Sequence, residues 1–127
     1  MLALVIDDSR AMRMILKRML LGLGFEVVEA ADGQQALDLV AAGPVPDLAT
    51  IDWNMPVMNG LEFVTAVRAD RANRAMTLMM VTTESEHGQI VRALAAGAHE
   101  YVIKPFTEDA IAEKLTLLGI APVRTPV

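Results

Sequence analysis

Five strand-like segments in this chain, four of them apolar runs, each give way to a polar or loop residue, and a segment with helical spacing follows each one. Leu2-Ala3-Leu4-Val5-Ile6 ends at Asp7-Asp8, and Leu48 to Ile51 ends at Asp52. Thr77 to Val81 ends at Thr82-Thr83, Tyr101-Val102-Ile103 ends at Lys104-Pro105, and Phe25 to Ala30, with Glu26 and Glu29 among its residues, reads as a further strand. A continuous apolar run such as Leu2 to Ile6 marks a strand buried on both faces. Between the runs, Met12, Leu16, Met19 and Leu23 recur at helical spacing, with Ser9 as a cap and Gly22 and Gly24 as stops. Helices are also expected over Gly33 to Ala41, with Leu37 and Val40 inward, and from about Gly60 to Ala69. A fourth, from about Glu86 to Ala95, carries Ile90, Val91 and Leu94; Thr107 caps the last, with Ile111, Leu115 and Leu118 on one face. Strict alternation means βαβ units, so the expected fold is α/β: a doubly wound, five-stranded parallel sheet with five helices.

The length of 127 residues suits one domain, here residues 1–120 with a short tail over 121–127. The two prolines of Gly43-Pro44-Val45-Pro46 mark a loop rather than a boundary. With 54% hydrophobic residues the chain can bury a core, which excludes intrinsic disorder. Eleven Lys and Arg against 16 Asp and Glu give a net charge of −5 and no basic run. Neither nucleic acid nor an anionic membrane surface is therefore an expected partner. The absence of cysteine removes disulfides, thiolate metal sites and cysteine nucleophiles together. No apolar run suits a signal peptide or a membrane span, so a cytoplasmic location is expected.

The polar residues that end the runs carry the chemistry. In a parallel sheet all carboxyl ends lie on one edge, so Asp7, Asp8, Asp52, Thr82 and Lys104 should converge there, where such sheets bind ligands. Three gathered carboxylates repel one another unless a cation sits among them. Mg²⁺ fits, being hard and oxygen-seeking. Lysine supplies a second, mobile cation, and the threonine hydroxyl can donate to an incoming oxyanion. Together these groups describe a site that accepts a phosphoryl group onto an aspartate. Taken singly, an Asp before a helix is more often a cap and a Lys after a strand is more often solvated; it is their joint placement that argues for a site.

Val5-Ile6-Asp7-Asp8-Ser9, the run Asp52-Trp53-Asn54-Met55-Pro56-Val57-Met58-Asn59-Gly60, Val81-Thr82-Thr83, and Tyr101-Val102-Ile103-Lys104-Pro105-Phe106 resemble, in order, the receiver domain of bacterial two-component response regulators. The likeness runs from about Leu2 to Leu118 and is nearest to the single-domain chemotaxis regulators. It implies a flavodoxin-like fold with strand order 2-1-3-4-5. It also implies that Asp52 is the phosphoacceptor, taking the group from a phosphohistidine of a sensor kinase or phosphotransfer protein. Asp8, Asp52 and the backbone carbonyl of Asn54 would ligate Mg²⁺, and Asp7 would hold a metal-bound water. Lys104 would pair with the phosphoryl group, Thr82 would swing in to hydrogen-bond it, and Tyr101 would turn from exposed to buried behind Thr82. A cis peptide at Lys104-Pro105 is implied, as is slow autodephosphorylation tuned at Asn54 and Glu84. Output would pass through the face of the fourth helix, fifth strand and fifth helix, exposing Ile90, Tyr101, Phe106 and Lys114 to a protein partner. A monomer with no output domain after Leu118 is expected. The fourth helix departs from the flagellar-motor pattern, because Ser85-Glu86-His87-Gly88 stands where such regulators carry lysines.

Rival readings fare less well. A phosphohydrolase with an aspartyl nucleophile wants its second Asp two residues beyond the first, whereas Asp7 and Asp8 are adjacent. An FMN-binding protein wants a hydroxyl- and Gly-rich phosphate loop after the first strand, where Asp7-Asp8 would repel the phosphate. A relay intermediate passing phosphate to another histidine protein shares the same site, and a pseudo-receiver that only binds shares the same fold. Gly60 either permits close backbone approach or simply starts a helix. Most of the nine methionines sit at core spacing (Met12, Met19, Met79). His87 and His99 lie apart from the strand ends and are given no metal or phosphohistidine role. Trp53 is expected to be partly exposed, and Arg13, Lys17 and Arg18 to be solvated or to meet the histidine-bearing partner.

Overall fold

The computed structural model describes residues 1–83 and 87–120. The strand-like segments form β1 (Leu2–Ile6), β2 (Glu26–Ala30), β3 (Leu48–Asp52), β4 (Thr77–Thr83) and β5 (Glu100–Lys104). The helices are α1 (Arg10–Gly22), α2 (Gly33–Ala42), α3 (Gly60–Ala69), α4 (His87–Ala96) and α5 (Glu108–Leu117), with a 3-10 turn at Arg71–Asn73 that the apolar pattern does not signal. All strand pairs are parallel, in the order β2-β1-β3-β4-β5. Glu84, given a tuning role above, lies outside the described residues, as do Ser85, Glu86 and the tail over 121–127.

Local chemistry sets the helix starts. The Ser9 hydroxyl accepts from the Met12 amide, and the Thr107 hydroxyl from the Ala110 amide, each satisfying a donor the helix cannot. Asp32 does the same for Gln35. Asn59 and Glu62 form a reciprocal capping box that fixes where the loop after β3 turns into α3. Past the end of α1, Gly24 takes a φ of 98°, a conformation a side chain resists.

Strand alternation divides the core in two. Leu4, Ile6, Ala49, Ile51, Leu78 and Met80 face one way and pack with Ala36, Val40, Phe63, Val64, Val67 and Ala93 of α2, α3 and α4. Ala3, Val5, Leu48, Met79 and Val102 face the other way, against Leu16 and Leu20 of α1 and Ile111 and Leu115 of α5. Each fully buried large side chain here contributes roughly 1.5–3 kcal/mol. Two expectations need correction. Trp53 is buried, because two residues past Ile51 it returns to that residue's side of the sheet and joins the α2–α4 core. Ile90 is buried too and is not part of an exposed face. The fourth helix rests on Ile90 and the small Ala93, which turns Val91 and Leu94 out to solvent.

Far from the strand ends named above, Arg68 ties several loops together. Its guanidinium donates to the carbonyls of Gly97 (3.0 Å), Asn73 (3.0 Å) and Met76 (2.7 Å) and lies 3.3 Å from His99 Nδ1. That nitrogen also accepts from the Leu78 amide. Burial, and then the neighbouring Arg68, hold the His99 pKa below its ordinary value, in keeping with a neutral ring that accepts. His99 is therefore a structural acceptor.

Two substitutions test this description. The Thr50 hydroxyl, on the central strand between Val5 and Met79, is buried without a hydrogen-bond partner among the described residues. Thr50→Val keeps the shape and removes the stranded group, so thermal denaturation should show a gain of about 1 kcal/mol. A loss of that size would refute it. Val57 has a φ of 69° and is 80% exposed, so its branched side chain carries strain with little burial in return. Val57→Asn should also stabilise by about 1 kcal/mol, read from a urea midpoint.

Candidate functional site

The strand edge brings the expected residues together. Asp7 follows β1 and is 1% exposed; Asp52 ends β3 at 9%. Carboxylate oxygens of Asp7, Asp8 and Asp52 all lie within 4.8 Å of one another. Lys104, at the end of β5, reaches across β4 and places its Nζ 3.3 Å from Asp7 Oδ2 and 3.3 Å from Asp52 Oδ1. Val81 stands opposite Asp52 in the register, so the next residue, Thr82, lies one step beyond the level of Asp52 and is buried. Asn54 lies exposed on the loop that follows. The Lys104-Pro105 peptide is cis, as the resemblance implied. All the strand-end residues thus sit on one edge, whereas Tyr101 lies within β5, half-buried against the α2–α4 core.

Several backbone contacts hold this arrangement. The Ser9 amide donates to Asp7 Oδ1 at 2.9 Å and turns the carboxylate back over the start of α1. Both readings of Gly60 hold: it starts α3, and a Cβ there would come 2.5 Å from the Asp52 carbonyl oxygen. The Gly60 amide donates to the Trp53 carbonyl at 2.9 Å, so α3 starts directly against the strand that carries Asp52. Gly33 likewise admits Met58, whose side chain a Cβ would meet at 2.7 Å, and thereby ties the loop after β3 to α2. Neither Gly33 nor Arg13 stands out as a site residue in the sequence. Arg13 donates to the Asp7 carbonyl at 2.7 Å rather than standing free in solvent.

The electrostatics follow from crowding. Burial first, then the Asp7 charge, push the Asp52 carboxyl up to about 6; Lys104 pulls it down, and Asp8 adds a further rise. Burial works against the Lys104 charge, but Asp52 and Asp7 outweigh it, and the lysine pKa stands above its ordinary value. A cluster of hard oxygen donors with surplus negative charge has the chemistry of a Mg²⁺ site. The Lys104 ammonium already compensates part of that charge.

The raised Asp52 value makes a stability prediction. The fold holds the Asp52 proton more tightly than the unfolded chain does, so ionised Asp52 weighs against folding above about pH 6, and that cost vanishes as pH falls to 3.8. Asp52→Asn should therefore raise metal-free stability by roughly 2 kcal/mol near pH 8, with the gain fading toward pH 4. Thermal melts at both pH values check the sign, and a variant less stable at both would contradict it.

Comparison with known proteins agrees with this geometry. Residues 3–116 match the response regulator receiver domain family. The chain is 45% identical over 113 residues to a chemotaxis protein CheY homolog of Campylobacter jejuni, covering 88% of this chain and 87% of that protein. Among solved structures it resembles the chemotaxis response regulator CheY4 of Vibrio cholerae, with a TM-score of 0.85 and 34% identity over 92% of this chain and 97% of that one. It also resembles the receiver domain of a Pseudomonas aeruginosa sensor histidine kinase that has a magnesium ion coordinated in its active site cleft. That likeness has a TM-score of 0.82 and 26% identity, over 91% of this chain and 94% of that one. From strand order to acidic edge, the chain belongs to the response regulator receiver domain family, as a receiver of the CheY type.

Proposed function

We propose that this receiver is a phosphorylation-controlled switch whose phosphoacceptor is Asp52. The observation that carries the reading is Lys104 Nζ standing 3.3 Å from both Asp52 and Asp7 beside the exposed Asp8. A carboxylate oxygen of Asp52 attacks the phosphorus of a phosphohistidine, the P–N bond breaks, and an acyl phosphate forms. The donor is a sensor kinase or phosphotransfer protein. Asp8, Asp52 and the Asn54 carbonyl are the groups that would hold Mg²⁺, with Asp7 acting through a water. When bound, the metal supplies charge neutralisation at the phosphoryl oxygens. Lys104 supplies the same from the opposite strand and can leave Asp7 to pair with the new phosphoryl group. Slow hydrolysis at the same site resets the switch.

The signal leaves through Thr82 and Tyr101. A Thr82 hydroxyl drawn to the phosphoryl group vacates space in the direction of the Tyr101 ring. That ring lies under Lys114, whose Nζ is 4.9 Å from the ring centroid and 3.2 Å from Glu100. Tyr101, Phe106 and Lys114 are all half-buried, so each can be exposed or withdrawn by a modest rotation. They would meet an output protein on the face made by α4, β5 and α5. Reversing a two-state switch takes about 5.5 kcal/mol, and charge-assisted hydrogen bonds from Lys104 and Thr82 supply roughly 3–6 kcal/mol. Partner binding would complete the shift. The reading takes the switch to work as a monomer in the cytoplasm; no helix among the described residues is long and apolar enough to cross a membrane.

Trp53, buried directly after Asp52, is a natural probe. Adding Mg²⁺ and then acetyl phosphate should change its fluorescence in two steps, the second decaying, with one phosphoryl adduct in the intact mass. Asp52→Asn should abolish the second step and the adduct. Lys104→Met should retain the fold but cut the switched population by about tenfold or more. A silent Trp53 together with no adduct would leave a receiver that works by binding alone.

A further inference from the structure

Asp8 is the least constrained member of the acidic cluster. It is exposed, and its carboxylate makes no hydrogen bond or ion pair among the described residues. Its direction therefore depends on the peptide that joins it to Asp7. Asp7 is held on every side: its amide donates to the Ala30 carbonyl (3.1 Å), Oδ1 accepts from Ser9, and Oδ2 meets Lys104. The β1–β3 register ends at Ile6, which leaves the Asp7 carbonyl beyond the last pair. Arg13 Nη1 takes that carbonyl at 2.7 Å. The guanidinium is itself anchored, with Nε 3.5 Å from Glu29 Oε1 and only 17% of the side chain exposed. Glu29 belongs to β2, and its other oxygen meets Lys17 Nζ at 3.5 Å. A fixed planar fork on α1 thus spans a β2 carboxylate and the peptide preceding Asp8.

We propose that Arg13 is a positioning residue of the acidic pocket, fixing the Asp7–Asp8 peptide so that the Asp8 carboxylate is presented to a divalent cation. The inference rests on reading that pocket as a Mg²⁺ site. Groups outside the first coordination shell that orient ligands typically change metal affinity 10–100-fold when lost.

Charge and geometry make opposite predictions here, which gives the test its power. Arg13 is a cation near a cation site, so removing it would tighten Mg²⁺ binding if charge alone mattered. Positioning requires the reverse. Mg²⁺ titration followed by Trp53 fluorescence should show Arg13→Met binding about tenfold more weakly than the parent. Arg13→Lys keeps the charge but loses the rigid fork, and should also bind several-fold more weakly, so it decides the matter if Arg13→Met does not fold. In the metal-free protein, hydrogen exchange at the Ser9 amide should speed up about tenfold in both variants, because its acceptor is Asp7 Oδ1. Unchanged or tighter Mg²⁺ binding in the folded variants would overturn the assignment. A parent protein that does not respond to Mg²⁺ would overturn the metal-site reading itself. The exchange measurement would then still show whether Arg13 orders the end of β1.

Discussion

Mutual repulsion among Asp7, Asp8 and Asp52 is the constraint around which this protein is organised. Three carboxylates within 4.8 Å would not hold that position in a chain free to relax. Here the first two sit just past a strand buried on both faces, and the third ends another. The sheet supplies the force: each flanking core is closed by helices on its own side, and neither strand can retreat without exposing apolar residues. Lys104 is drawn into the same place from two strands away and compensates part of the charge. Burial first, and then the Asp7 charge, still leave the Asp52 carboxyl raised despite the lysine.

This strain suits the proposed function, because a pocket short of positive charge is one that an added cation can reorganise. Lys104 is shared between Asp7 and Asp52 at equal distance, so a small displacement of either partner redistributes its pairing. The surrounding supports are of the opposite character. Gly60 and Gly33 bring backbone and Met58 so close that no side chain fits, and the Asn59–Glu62 capping box fixes the loop between them. A lysine shared between two carboxylates is thus set in a rigid cradle.

Much of this is legible in the sequence. Runs such as Leu2 to Ile6 and Leu48 to Ile51 declare buried strands, Ser9 and Thr107 declare helix starts, and the polar residues ending the runs declare an edge. Where local signals misled, the reason was a tertiary one. Trp53 was expected to be partly exposed because it adjoins a polar residue, yet period-two alternation from Ile51 already placed it on a buried side. The resemblance puts Ile90 on an exposed face, but the rotation of α4 about its axis, with Ile90 and the small Ala93 turned inward, buries it. Arg13 was read as a solvated or partner-facing helix cation, since nothing local says that the carbonyl of Asp7 lies within its reach.

The division has a physical basis. Periodicity and capping are local properties, so the sequence by itself determined the elements, their order and the residues that stand at the strand ends. Strand order, the side of the sheet each helix takes, and the meeting of Lys104 with Asp7 across 97 residues of chain are set by crossovers and packing. So are the Arg13 hold on Asp7 and the Arg68 tie among loops. Only the tertiary structure decided those, because they depend on groups whose distance in space bears no relation to their distance along the chain.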